Sequence, residues 1–227
     1  MIFPPYWLPR PARPLDAVTL AAFDELLDGS VRGGSACPVD YRLPAPKWQF
    51  LCHAAERGFV LHGSGDPDIT VFEPRQADDL SPFGNRAAVY AAADGIWPMY
   101  FAILDRVRYE ISLTNACIQV SQGDSPLSEP HYFFSIDRLA LERDPWRTGT
   151  VYLLPADTFE QQEPFGLGNA LVHSAQVASL VPVAPVAKLV VQPADFPFLH
   201  QIRGHEPAVQ AARAAADPSA FPWLDEA

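Results

Sequence analysis

Two short segments hold the residue types best suited to chemistry. The run Phe59-Val60-Leu61-His62-Gly63-Ser64 puts a histidine at the exit of an apolar stretch, followed by glycine. Such an imidazole can hydrogen-bond a ligand hydroxyl. The glycine lets a ligand approach the backbone and use its N–H and C=O. The second segment, Phe83 to Asp94, carries Val89-Tyr90-Ala91 and is followed by Tyr100. Two phenol rings, one leaving a strand and one on the next helix, can face each other and stack on a flat heteroaromatic ring. Taken singly, each feature has a plainer account: a histidine satisfied at a strand end, and tyrosines packed in a core.

The elements that must position these groups follow from periodicity and punctuation. Residues 1–15 read as an irregular arm, and Asp16 caps a helix over 17–28 ended by Gly29. Pro46 opens a helix over 46–57, with Gly58 past its end. Phe59–Leu61, Ile69–Phe72 and Ala87–Ala91 are short apolar strands. Asp94 caps a helix over 95–106, whose face carries Ile96, Tyr100, Ile103, Leu104 and Val107. Pro98 is tolerated in its first turn. Strands follow at His131–Ile136, Thr150–Leu154 and Ala178–Val191, the last broken by prolines, and a terminal helix at 206–216. Helices in the first half and strands in the second, without βαβ alternation, indicate an α+β fold. The chain reads as one domain: residues 1–45 as arm and helix, 46–200 as the α+β core, 201–227 as a C-terminal helix and tail.

Composition narrows the partners. Of 227 residues, 48% are hydrophobic, enough for a sizeable core, and 24 prolines fall between the apolar runs. The net charge of -11 repels phosphate backbones, which disfavours nucleic acid as a partner. The basic residues Arg138, Arg143 and Arg147 are interleaved with Asp137, Glu142 and Asp144, so they form no basic stripe. Three cysteines, Cys37, Cys52 and Cys117, without CxxC spacing indicate reduced thiols and a cytoplasmic location. The start of the chain lacks a signal-peptide pattern, and prolines interrupt the most apolar stretch, Val177–Val191, so no membrane partner is expected.

Several chemistries find no support. There is no GxGxxG, no P-loop, no GxSxG, and no HxH or HExxH among the six histidines, so no metal is expected. Cys52 and His53 are helix neighbours whose side chains diverge by about 100°, so they cannot act as nucleophile and base.

In order, strand-His62-Gly63-Ser64, an apolar strand, Val89-Tyr90-Ala91 and a helix bearing Tyr100 resemble the NAD-binding core of the ADP-ribosyltransferase superfamily. The likeness is to its His–Tyr–Glu branch, shared by poly(ADP-ribose) polymerases and diphtheria-type toxins, and spans His62 to Leu104. The resemblance implies a small split sheet enclosing NAD as substrate. His62 would hold a ribose hydroxyl, the Gly63 backbone the nicotinamide amide, and Tyr90 and Tyr100 would sandwich the nicotinamide ring. The family's third element is a glutamate at the start of a late strand, which stabilises positive charge as nicotinamide leaves. Here Gln176 leads into that strand, and Glu160 and Glu163 in a polar loop upstream are possible substitutes. Pro98 stands where the family often offers a serine, a role Ser64 could take.

Three readings follow. The chain binds NAD and transfers ADP-ribose to an unknown acceptor. It is a catalytically inactive domain of that fold, binding a nucleotide or a protein, because Gln176 lacks charge. Or its aromatics only pack, and the arm Phe3-Pro4-Pro5-Tyr6-Trp7-Leu8 serves a partner contact.

Overall fold

The computed structural model describes residues 3–12, 14–34, 36–77, 79, 81–123 and 125–224. In chain order the strands are β1 (Leu8–Pro9), β2 (Cys37–Pro38), β3 (Phe59–Ser64), β4 (Arg75–Gln76), β5 (Ala87–Ala92), β6 (Leu113–Ser121) and β7 (His131–Asp137). They continue with β8 (Gly149–Pro155), β9 (Phe159–Gln161), β10 (Phe165–Leu167), β11 (Ala170–Ser174), β12 (Gln176–Ser179), β13 (Ala187–Val191) and β14 (Arg203–His205). The helices are α1 (Ala17–Arg32), α2 (Lys47–Glu56), α3 (Trp97–Ile103), α4 (Arg138–Leu141) and α5 (Pro207–Ala216). Helices and largely antiparallel sheets together make an α+β protein.

Two sheets organise the molecule. The larger runs β2-β13-β8-β3-β5-β12-β9, with β4 attached to β5. The smaller runs β1-β7-β6-β11-β10, with β14 attached to β7. They meet at Ala175, between β11 and β12. Its N–H donates to Cys117 in the smaller sheet, and its carbonyl accepts from Ala93 beyond β5 of the larger.

The main core lies between the sheets. It joins Leu61, Ala92, Val151, Leu153 and Leu189 of the large sheet to Phe23 and Phe50 of the first two helices. It also takes in Met99, Tyr100 and Ile103 of α3, and Tyr132, Phe134 and Ile136 of the smaller sheet. The opposite face of the large sheet carries a second cluster, with Val60, Val89, Tyr152, Leu154 and Val177, covered by Phe72 and Val183 from two loops. Strand alternation thus sorts β3 cleanly: Val60 to one face, Leu61 to the other.

The local signals place most elements correctly and misjudge several ends. Asp16 caps α1 by accepting from Thr19 N at 2.7 Å, as expected. The helix does not stop at Gly29 but runs to Arg32, because Phe23, Leu27 and Ser30 form one buried face that outweighs the glycine's intrinsic cost of about 1 kcal/mol. Gly58, with φ +89°, follows α2 where a left-handed residue is needed. The helix expected over 95–106 is shorter, ending at Ile103, after which Leu104 turns extended and bridges to Trp146. Ile69–Phe72 is a covering loop, with only Phe72 bridging to Val183, not a strand. The long strand expected to Val191 is two, β12 and β13, separated at Pro182 and Pro185. Among the described residues, no helix is long and apolar enough to cross a membrane.

Candidate functional site

The large sheet sets the three strands that carry the sequence candidates side by side. β3 holds His62 and Gly63, β5 holds Tyr90, and β12 begins at Gln176. β5 and β12 pair over four positions, with Gln176 opposite Ala92 and Ala178 opposite Tyr90. β3 and β5 pair only at Leu61–Ala92 and then part. β3 continues instead along β8, with His62 opposite Tyr152 and Ser64 opposite Thr150.

His62 bridges the parting. Its Nδ1 lies 2.6 Å from the main-chain oxygen of Tyr90. A carbonyl only accepts, so Nδ1 carries the proton. Phe72 packs on the imidazole with ring centroids 4.5 Å apart. Burial lowers the His62 pKa, the hydrogen bond to Tyr90 opposes this, and the charge of Arg75 adds to the lowering. The neutral tautomer therefore presents a bare Nε2, an acceptor, which has no partner among the described residues.

Tyr90 points to the other face, as strand alternation from Val89 requires. Its hydroxyl accepts from Arg86 N at 2.8 Å and lies 2.8 Å from Phe83 O, to which it donates. The ring is half-buried and ties down the turn before β5. Tyr100 is elsewhere. It is fully buried in the main core, donates to Ser135 O at 2.9 Å, and packs on Phe101, Phe134 and Phe196. The expected sandwich of Tyr90 and Tyr100 is absent: the helical face that carries Tyr100 is turned to the smaller sheet, which needs its apolar area.

Gly63 also serves a different purpose from the one expected. A Cβ there would lie 1.8 Å from Pro98 O and 2.9 Å from Ala102 N. The side of the strand meant for a nicotinamide amide is filled by the backbone of α3. Ser64 is engaged as well: its Oγ accepts from Asp66 N at 3.0 Å and closes the turn after β3. Gln176 is half-buried at the start of β12, and its side-chain amide has no hydrogen bond among the described residues.

Two residues gain importance from the fold. Glu160, expected in a loop, lies on β9 opposite Ala178, on the same face as Tyr90. Glu163 follows β9 and is exposed. Arg86 precedes β5, stacks over Phe83 with its guanidinium carbon 4.3 Å from the ring centre, and places Nη1 3.2 Å from Glu160 Oε2. The side chains of Ala178, Tyr90, Glu160 and Arg86 thus gather on one side of β5, β12 and β9. The motif Asn85-Arg86 before an apolar strand was the available signal for Arg86. Nothing local announced that a short run at Glu160 would pair.

A second polar centre stands at the seam of the sheets. Arg10 Nη2 lies 2.7 Å from Asp94 Oδ2, and Tyr132 Oη donates to the same oxygen at 2.8 Å. Asp94 Oδ1 accepts from Ile96 N and Trp97 N in the turn leading into α3, which starts two residues later than expected and has Ile96 as its N-cap. Burial raises the Tyr132 pKa strongly, with the Asp94 carboxylate adding to it. Burial pushes the Cys52 thiol up to about 12, so it is inert as a nucleophile. His53 pairs instead with Asp24, at 2.8 Å. A cavity of about 30 Å³ at this seam, lined by Arg10, Gln119, His173 and Ala175, has room for one water. No group of three or more metal-ligating side chains occurs among the described residues. No protein-family model, curated protein or solved structure matches the chain.

Proposed function

We propose that this protein binds NAD at the β3-β5-β12 part of the large sheet and acts as an ADP-ribosyltransferase-like enzyme. The observation that carries the reading is strand order. Residues 28 and 86 positions apart, His62–Tyr90 and Tyr90–Gln176, stand on three consecutive strands. Strand neighbours of that separation are a product of the fold; they bring together the strands the resemblance singles out, with Tyr90, Gln176 and Glu160 on one face and His62 on the other. His62 faces Phe72 on the opposite side of the sheet, so its part in this site is to fix the Tyr90 backbone through Nδ1–H and not to touch the ribose. Tyr90 offers one ring face to a nicotinamide, without a partner ring from Tyr100. In transfer, the bond from nicotinamide nitrogen to ribose C1′ breaks and nicotinamide leaves neutral with the bonding pair. The acceptor forms the new bond to C1′ and loses a proton. Fixed negative charge favours that cationic transition state, and Glu160 supplies it on the Tyr90 face where Gln176 cannot.

A second reading, binding without turnover, is favoured by one observation: the backbone of α3 lies directly on Gly63, on the side where the nicotinamide amide was expected. Thermal-shift titration with NAD, joined to chromatographic assay of free nicotinamide, separates the two. Stabilisation with nicotinamide release that is lost in Glu160→Gln supports the enzyme. Stabilisation without release supports the binding domain. No stabilisation at millimolar NAD in the native protein removes both.

A further inference from the structure

Arg86 is the residue whose arrangement the foregoing does not explain. Its Nη1 is paired with Glu160, but Nε and Nη2 are both buried and have no hydrogen-bond partner among the described residues. These two nitrogens form the side-on edge of the guanidinium, the edge that receives two oxygens of one oxyanion in parallel. Buried donors of a cationic group are costly to leave unmade. Phe83 covers one face of the plane and fixes its orientation, and a stacked ring leaves the in-plane donors unsatisfied. The backbone on either side is held too, since the Arg86 N–H is bound by the Tyr90 hydroxyl. The group is therefore oriented, cationic and short of acceptors, on the same face of the sheet as Tyr90.

We infer that the Nε–Nη2 edge of Arg86 is a binding site for a phosphate oxyanion, and that in a nucleotide ligand it takes the diphosphate. The second clause rests on the proposed function; the first does not. A net charge of -11 makes a generic surface a poor host for phosphate, so an oriented arginine is what such a ligand requires here. Glu160 shares the guanidinium and opposes an incoming anion. Removing its charge strengthens the site, and that sign sets an anion site apart from a purely structural pair.

The test is calorimetric titration of the native protein with pyrophosphate, ADP and adenosine at constant ionic strength. The same titrations are made on Arg86→Gln, Arg86→Lys and Glu160→Gln, with far-UV circular dichroism confirming each fold. Pyrophosphate and ADP bind, and adenosine binds about tenfold or more weakly. Arg86→Gln and Arg86→Lys both lose about tenfold or more, the lysine because it keeps the charge but not the fork. Glu160→Gln binds pyrophosphate more tightly than the native protein. The inference is overturned if pyrophosphate does not bind, if both Arg86 variants bind it as the native protein does, or if Glu160→Gln weakens it. Arg86→Lys equal to the native protein also overturns it, since charge alone then suffices. Arg86-dependent pyrophosphate binding without any NAD binding keeps the oxyanion site and removes the NAD reading. NAD binding that ignores Arg86 does the reverse.

Discussion

Arg10 and Asp94, 84 positions apart, form a 2.7 Å ion pair whose carboxylate side chain is only 2% exposed. The pair ties the N-terminal arm to the start of α3, because the same carboxylate accepts from Ile96 N and Trp97 N there. Removing Arg10 takes the counter-charge from a buried carboxylate that keeps only the neutral donors Tyr132 Oη, Ile96 N and Trp97 N. Arg10 keeps about a quarter of its side chain in solvent, which softens the effect. Arg10→Ala is expected to destabilise the protein by about 2–4 kcal/mol. Urea unfolding with fixed m-value measures it; a loss under about 0.5 kcal/mol would mean the arm is held by its aromatics alone.

Acid sensitivity follows from two histidines. Burial lowers the pKa of both His62 and His205 below 6.5. The unfolded chain then binds protons that the folded chain refuses, in the window from each lowered pKa up to about 6.5. Stability from these groups is complete above that window and is lost as pH falls through it. The urea midpoint is expected to drop between about pH 7.5 and 5.5, and His62→Gln is expected to flatten part of the slope. A midpoint that rises on acidification contradicts the burial of these imidazoles.

Close approach of α3 to the large sheet depends on two glycines. A Cβ on Gly63 would lie 1.8 Å from Pro98 O, and one on Gly149 1.8 Å from Ala102 O. Both contacts are with backbone, so the helix must move. Gly63→Ala and Gly149→Ala are each expected to cost about 1–3 kcal/mol or more. Gly166→Ala, which meets nothing within 4 Å, is the control and should stay within about 0.5 kcal/mol.

The two tyrosines are expected to separate by function. Tyr100→Phe removes one buried hydrogen bond to Ser135 and costs about 1 kcal/mol, with NAD affinity unchanged. Tyr90→Ala removes the half-buried ring and the bonds that hold Arg86, so it lowers NAD and pyrophosphate affinity together. Equal effects of the two substitutions on NAD affinity, measured by calorimetry, would contradict the placement of Tyr100 in the core.

Local chemistry was legible in the sequence wherever a few neighbouring residues decide the outcome. Asp16 caps α1, and Asp94 accepts from Ile96 N and Trp97 N just ahead of α3, because a short carboxylate reaches the next free N–H groups whatever the rest of the chain does. The short apolar strand at Phe59–Leu61 and the α+β character were readable for the same reason. Ends were less legible: Gly29 lies inside α1 because the burial of Phe23 and Leu27 is a tertiary fact.

What the sequence by itself determined, then, is which residues cap and turn, that His62 and Tyr90 belong to strands, and that Gln176 leads into one. Only the tertiary structure decided which faces those residues share. A tyrosine at helical spacing can point to a slot or to a core, and the smaller sheet claimed Tyr100 for the core. Gly63 can admit a ligand or a helix, and α3 occupied it. Glu160 and Arg86 became neighbours through the ladder between β9 and β12, a pairing set by distant loops whose closure no local pattern encodes.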